Sequence, residues 1–174
     1  MIVLVLGLGG RRAELDRFSI AFMVGALTTV LFWIAFPSYG AFHHRVALGL
    51  PVPEQNLSVT TAYSHYLLGL EAGNFVPLRF GELKGLIGFP SFHTVLALLS
   101  TWAVWRVRYL GPVMAILNAL VLLAIPGDGG HFLVDIAGGV VVTAFAIAAA
   151  RRMTRSGASA QSAIAVANPV PVNS

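Results

Sequence analysis

The chain has 174 residues, of which 57% are hydrophobic and only 10% charged, against roughly 25% charged in soluble domains, and its mean hydropathy is +0.81. This excludes an ordinary soluble globule, and the absence of cysteine excludes disulfide frameworks, thiolate zinc sites and cysteine nucleophiles. The net charge of +4 comes from short basic clusters between apolar runs rather than from a continuous polar surface, so it does not point to a nucleic-acid partner.

In chain order, the opening MIVLVLGLGG is too short to cross a bilayer, for which a helix needs about 20 apolar residues, and no basic stretch precedes it as in a secretory signal. It reads either as a frayed terminus or as the inner end of a partial helix. The run 18–36, FSIAFMVGALTTVLFWIAF, carries no charge and is the clearest span. Further spans are expected from 86 or 92 to 105, from 109 to 126 and from 131 to 150. Each should be helical, because lipid offers backbone groups no partner and a helix satisfies its own. Between the first and second, 57–70, LSVTTAYSHYLLGL, has the length of an interfacial or re-entrant helix. The tail from Ser156 is rich in alanine, serine, asparagine and proline without a periodic apolar face, and disorder is expected there. The predicted fold is therefore all-α, a multi-pass transmembrane helical bundle of about four full spans. Its organisation is a partial helix and cytoplasmic segment at 1–17, a membrane core at 18–150 and a disordered cytoplasmic tail at 151–174. No internal repeat is evident, and oligomeric state is left open.

Lysine and arginine collect on the cytoplasmic side of spanning helices. Eight of the eleven basic residues fall in three clusters, Arg11, Arg12 and Arg17, then Arg106 and Arg108, then Arg151, Arg152 and Arg155. Alternation of the spans puts all three on one face. The segment 37–90, with Arg45, Arg79 and Lys84, and the turn at 127–130 share the opposite face.

Ionisable groups inside a span are costly and usually serve a site, which singles out His131 and Asp135 at the head of the last span. A spacing of four places them on one helical face, where the carboxylate can accept a hydrogen bond from one imidazole nitrogen. That bond would fix the tautomer and leave the other nitrogen as nucleophile, base or ligand. The alternative is a buried pair that only satisfies itself. A second histidine stands in Gly88-Phe-Pro-Ser-Phe-His93, where Pro90 and Ser91 mark a helix start on the same membrane face. Helix N-termini suit anions. Ser91, the amides after Pro90 and the pair Gly129-Gly130 would form a donor-rich pocket, with Arg79 and Lys84 as the nearby cations. Phosphate fits such a pocket.

These residues resemble the type 2 phosphatidic acid phosphatase superfamily, which includes the vanadium haloperoxidases, and most closely its inositol phosphorylceramide synthase-like branch. Pro90-Ser91-Phe92-His93 looks like the second signature of that family, and Gly130-His131-Phe132-Leu133-Val134-Asp135 looks like the third. About residues 18–150 fit the order and spacing of the membrane core. The family's first signature, a lysine followed seven positions later by Arg-Pro, has no intact counterpart, and Ile125 stands where many members carry an arginine before the nucleophile. The resemblance implies that His131 attacks phosphorus to give a phosphohistidine, Asp135 orients it, and His93 protonates the leaving alkoxide. Ser91 and Gly130 would bind phosphate, with Arg79 and Lys84 as the candidate cations. It implies a lipid phosphate or phospholipid substrate, no metal and no cofactor. The resulting expectation is a lipid phosphate phosphatase or phosphotransferase in a bacterial inner membrane, its active site extracytoplasmic.

Two other classes compete. His43, His44, His65, His93, His131, Asp128 and Asp135 all fall near one membrane face, and histidine with carboxylate suits zinc or iron, so a metal-binding protein or transporter is one. On a regular helix the adjacent His43 and His44 point about 100° apart and chelate together poorly. The pair reads better as a solvated interfacial patch than as a ligand pair, and His65 within its aromatic stretch likewise. The other class is a catalytically degenerate membrane scaffold, for which the absent first signature argues.

Overall fold

The structure is a computed structural model that describes residues 2–38, 40–41, 44–45, 48–50, 69, 72–74, 87–127 and 131–167. Five helices form among the described residues, with no strand: α1 (Ile2–Leu8), α2 (Arg12–Ala35), α3 (Phe92–Val104), α4 (Leu110–Gly127) and α5 (Leu133–Ala167). The opening segment is thus helical. α1 ends at Gly9 and Gly10, and Gly10 takes the left-handed φ of 68° that its lack of a Cβ allows. Leu6 is fully buried, and α1 packs against α2 and α3.

Two helices are long and apolar enough to cross a membrane, α2 and the segment Leu133–Ser156 of α5. α3 and the Leu110–Pro126 part of α4 are apolar but shorter. The all-helical expectation therefore holds, and the membrane character rests on two candidate spans rather than four. α2 starts at Arg12, ahead of the expected 18, because arginine and glutamate are good helix formers and nothing breaks the backbone there. α5 begins at Leu133, so His131 precedes the helix instead of opening it. At its far end the backbone stays helical to Ala167, beyond the Ser156 where disorder is expected; the alanines of that stretch have the highest helix propensity and outweigh its lack of an apolar face. Of the expected interfacial helix at 57–70, only Gly69 is among the described residues.

α2, α3 and α5 pack mutually, and α4 lies against α3. Small residues set the spacing. Ala21, Gly25 and Thr29 line the buried side of α2 at intervals of four, facing Ala146 and Ala150 of α5 and Val95 and Leu99 of α3. A Cβ on Gly25 would stand 3.0 Å from Val95 Cγ1 and 3.6 Å from Ala146 Cβ, so three backbones converge where one methyl would crowd them. Close approach of this kind replaces the hydrophobic driving force that lipid removes. The opposite sides are apolar and exposed, including Met23, Leu27 and Ile34 on α2, Ile116 and Leu123 on α4, and Val141 and Phe145 on α5. α4 is held by one polar clasp, in which Asn118 Nδ2 lies 2.9 Å from the Ala97 carbonyl, 2.9 Å from Ser100 Oγ and 2.8 Å from Thr101 Oγ1 of α3.

Candidate active site

The start of α3 is built by Ser91, whose β-region backbone (φ −66°, ψ 110°) caps the helix and whose hydroxyl accepts from the Thr94 amide at 3.4 Å. This is the helix start expected from Pro90 and Ser91, and both residues are buried. The start of α5 is capped in a different way. Asp135, the third helical residue, reaches back so that its Oδ2 accepts the Phe132 N–H at 2.7 Å, which is half of a capping box. The two starts are then joined through main chain, with the Ser91 N–H donating to the Asp135 carbonyl at 2.9 Å. Gly139 makes this approach possible: a Cβ there would sit 2.6 Å from Thr94 Cβ and 2.7 Å from the Ser91 carbonyl. At Gly138 an added Cβ would collide with the Phe89 ring.

The junction places His131 and His93 together. Their rings are 5.5 Å apart between centroids at 68°, and His93 Nδ1 lies 3.3 Å from His131 Nε2. His131 is buried and His93 is exposed. The sequence assigns the orienting of His131 to Asp135, but the group at hydrogen-bond distance is the Gly88 carbonyl, 2.9 Å from Nδ1. Asp135 Oδ2 is 3.6 Å from the same nitrogen, near enough for charge and too far for a hydrogen bond. The carboxylate is drawn away because it also caps its own helix. A carbonyl can only accept, so Nδ1 carries the proton and Nε2 of the neutral ring presents a lone pair toward His93.

Gly88 is positioned in turn by Ser38, just past the end of α2. The Ser38 carbonyl accepts the Gly88 N–H at 3.1 Å, and its hydroxyl accepts the Phe89 N–H at 2.7 Å and donates to the Phe89 carbonyl at 3.2 Å. Trp33 Nε1 donates to the same Ser38 carbonyl at 3.2 Å. Neither Gly88 nor Ser38 stood out as a site residue in the sequence, since a carbonyl or serine acting on a turn about 50 positions away leaves no periodicity to read. Thr94 adds a buried hydroxyl with no partner among the described residues, within the first turn of α3. His44 stacks edge-on against Phe132, the residue after His131, at 6.2 Å.

Of the other expected site residues, Ser91 sits at the junction, though its amide is committed to Asp135 rather than available to an anion. Gly130, Arg79 and Lys84 lie outside the described residues, as do His43, His65, Asp128 and Gly129. Among the described residues no three histidine or carboxylate side chains gather to hold a metal ion.

Among the described residues the chain is an all-helical bundle with two candidate membrane spans and a histidine pair at two joined helix starts. The chain belongs to the PAP2 superfamily, whose family model matches residues 1–149. Membership points at the coarse level to phosphatase chemistry, that of a phosphoric ester hydrolase associated with a membrane. No curated protein and no solved structure matches the chain.

Proposed function

We propose that the chain is a membrane-embedded lipid phosphate phosphatase or phosphotransferase that works through a phosphohistidine on His131. The observation that carries this reading is the Gly88 carbonyl against His131 Nδ1, which leaves Nε2 as the unprotonated nitrogen, facing His93. In the first step Nε2 attacks phosphorus, the bond from phosphorus to the lipid alkoxide breaks, and His93 gives that oxygen its proton. The resulting positive ring is stabilised by Asp135 at 3.6 Å. In the second step His93, now neutral, takes the proton of water or an alcohol as its oxygen displaces nitrogen from phosphorus. The first amides of α3, Gly130, Arg79 and Lys84 supply the donors and cations that offset the phosphoryl charge.

In this reading α3 and α4 complete a four-span core with α2 and α5. The arginine-rich ends lie in the cytoplasm of a bacterial cell, and the histidines open to the outer leaflet of its inner membrane. Lipid enters sideways with its chains in the bilayer. Transfer to an alcohol, as the inositol phosphorylceramide synthase-like branch would perform, requires an acceptor site that outcompetes water.

The test uses two substrates. With labelled phosphatidic acid the protein should form an acid-labile phosphoryl adduct that is absent in His131→Ala. With p-nitrophenyl phosphate, whose leaving group needs no proton, His93→Ala should release a single stoichiometric burst of nitrophenol and then stall as the adduct persists. A His93→Ala variant that turns over steadily, or an adduct that forms without His131, would overturn the assignment. Activity lost to chelators and restored by zinc or iron would support a metal centre instead.

A further inference from the structure

The three basic clusters do more than sit at one end of the bundle: members of all three line a cavity of about 390 Å³. Arg17 comes from α2, Arg106 from just beyond α3, and Arg151 and Arg155 from α5, with Trp102 and Trp105 forming apolar wall. The volume is within the roughly 300–1,000 Å³ of small-molecule sites. Glu14 also lines the cavity, but its carboxylate is paired with Arg11 at 2.9 Å and offsets little of the four guanidinium charges. The Arg151 guanidinium lies over the Trp102 ring, 6.0 Å from its centroid, an arrangement that steers a cation while leaving N–H groups to bind elsewhere. Guanidinium groups bind phosphate oxygens in bidentate fashion, and tryptophan favours the depth of lipid headgroups. From Asp135 to Arg151 is about 24 Å along α5 at 1.5 Å per residue, so an occupant here is not the substrate of the histidine pair.

We propose that this arginine- and tryptophan-lined cavity is a second binding site, for a phosphate-bearing anion, at the end of the bundle opposite the histidines. An anionic phospholipid headgroup and a soluble phosphate share the chemistry that the cavity selects. The site does not depend on the reaction proposed for the histidines.

The chain has three tryptophans, and Trp33 lies at the histidine end, so Trp33→Phe leaves only those of the cavity as fluorophores. That protein, full length in phosphatidylcholine nanodiscs, is titrated with phosphatidylglycerol in the bilayer and, separately, with inorganic phosphate in solution. A saturable change in tryptophan emission with the lipid identifies the headgroup as occupant; one with phosphate alone identifies a soluble anion; either supports the site. Arg106→Gln with Arg151→Gln should weaken the response by at least about tenfold. Arg12→Gln with Arg108→Gln, which removes the same charge outside the cavity, should leave it within about twofold. If the first pair fails to fold, Arg17→Gln, at an exposed position, serves in its place. No saturable response to either ligand, or equal loss in cavity and control variants, would show only diffuse surface charge and overturn the proposal.

Discussion

The two ends of the bundle handle polarity in opposite ways. At the histidine end nearly every contact that sets geometry runs through main chain: Gly88 holds His131, Asp135 is tied to the Phe132 and Ser91 amides, and Ser38 fastens the 88–89 turn. At the arginine end the determinants are long side chains around an open cavity. Backbone contacts fix position to fractions of an ångström and change little with side-chain identity. Guanidinium groups adapt, and select by charge and shape. A reacting centre needs the first kind of construction and a reversible binding site tolerates the second.

The contrast is broken most severely by removing the proposed nucleophile. His131→Ala should lower turnover of a lipid phosphate by about 10⁴-fold or more, the scale seen when a covalent nucleophile is deleted, while circular dichroism stays helical; turnover near wild type would remove the histidine end from the chemistry. Gly139→Ala comes next. Its methyl has no room between Thr94 and the Ser91 carbonyl, so the helix starts must part, at a cost of about 1–3 kcal/mol. Activity should fall with thermal stability in detergent, and unchanged values of both would mean that the junction yields freely. Asp135→Asn tests which group orients the imidazole. The amide oxygen can still accept from Phe132 and Gly88 still fixes the tautomer, so kcat should drop by about 10- to 100-fold with folding preserved. A far larger loss would return the orienting role to the carboxylate. The smallest effect belongs to a position away from both ends: Asn118→Ala should cost about 0.6–2 kcal/mol by releasing α4 from α3, read as a lower midpoint of thermal unfolding with kcat per folded molecule unchanged.

Much of this was legible from residues alone. Long apolar runs, uncharged in α2 and interrupted only by Asp135 in α5, pointed to those two helices, and Pro90-Ser91 to the start of α3 within a residue, because proline and a capping hydroxyl act locally. The meeting of His93 and His131 followed from equal depth at two helix starts. Gly88 was not legible as the partner of His131, since its side chain contributes nothing and its carbonyl is aimed by Ser38. His131 was read as inside its helix because a spacing of four is indifferent to whether the first residue lies one turn in or just outside, and only the Asp135–Phe132 cap decides. The basic clusters were readable as orientation signals; that Arg17, Arg106, Arg151 and Arg155 line a single cavity depends on how α2, α3 and α5 cross. The cations expected beside the phosphate, Arg79 and Lys84, fall in a stretch whose arrangement the described residues do not reach.

The bond from the Ser91 amide to the Asp135 carbonyl bears on how such a protein diversifies. It needs no particular side chain at either residue, so the residues around it are open to substitution while the distance between His93 and His131 stays set. If the proposed chemistry holds, new substrate preferences can therefore arise by exchanging neighbours such as His44 and Phe132 without rebuilding the histidine pair each time.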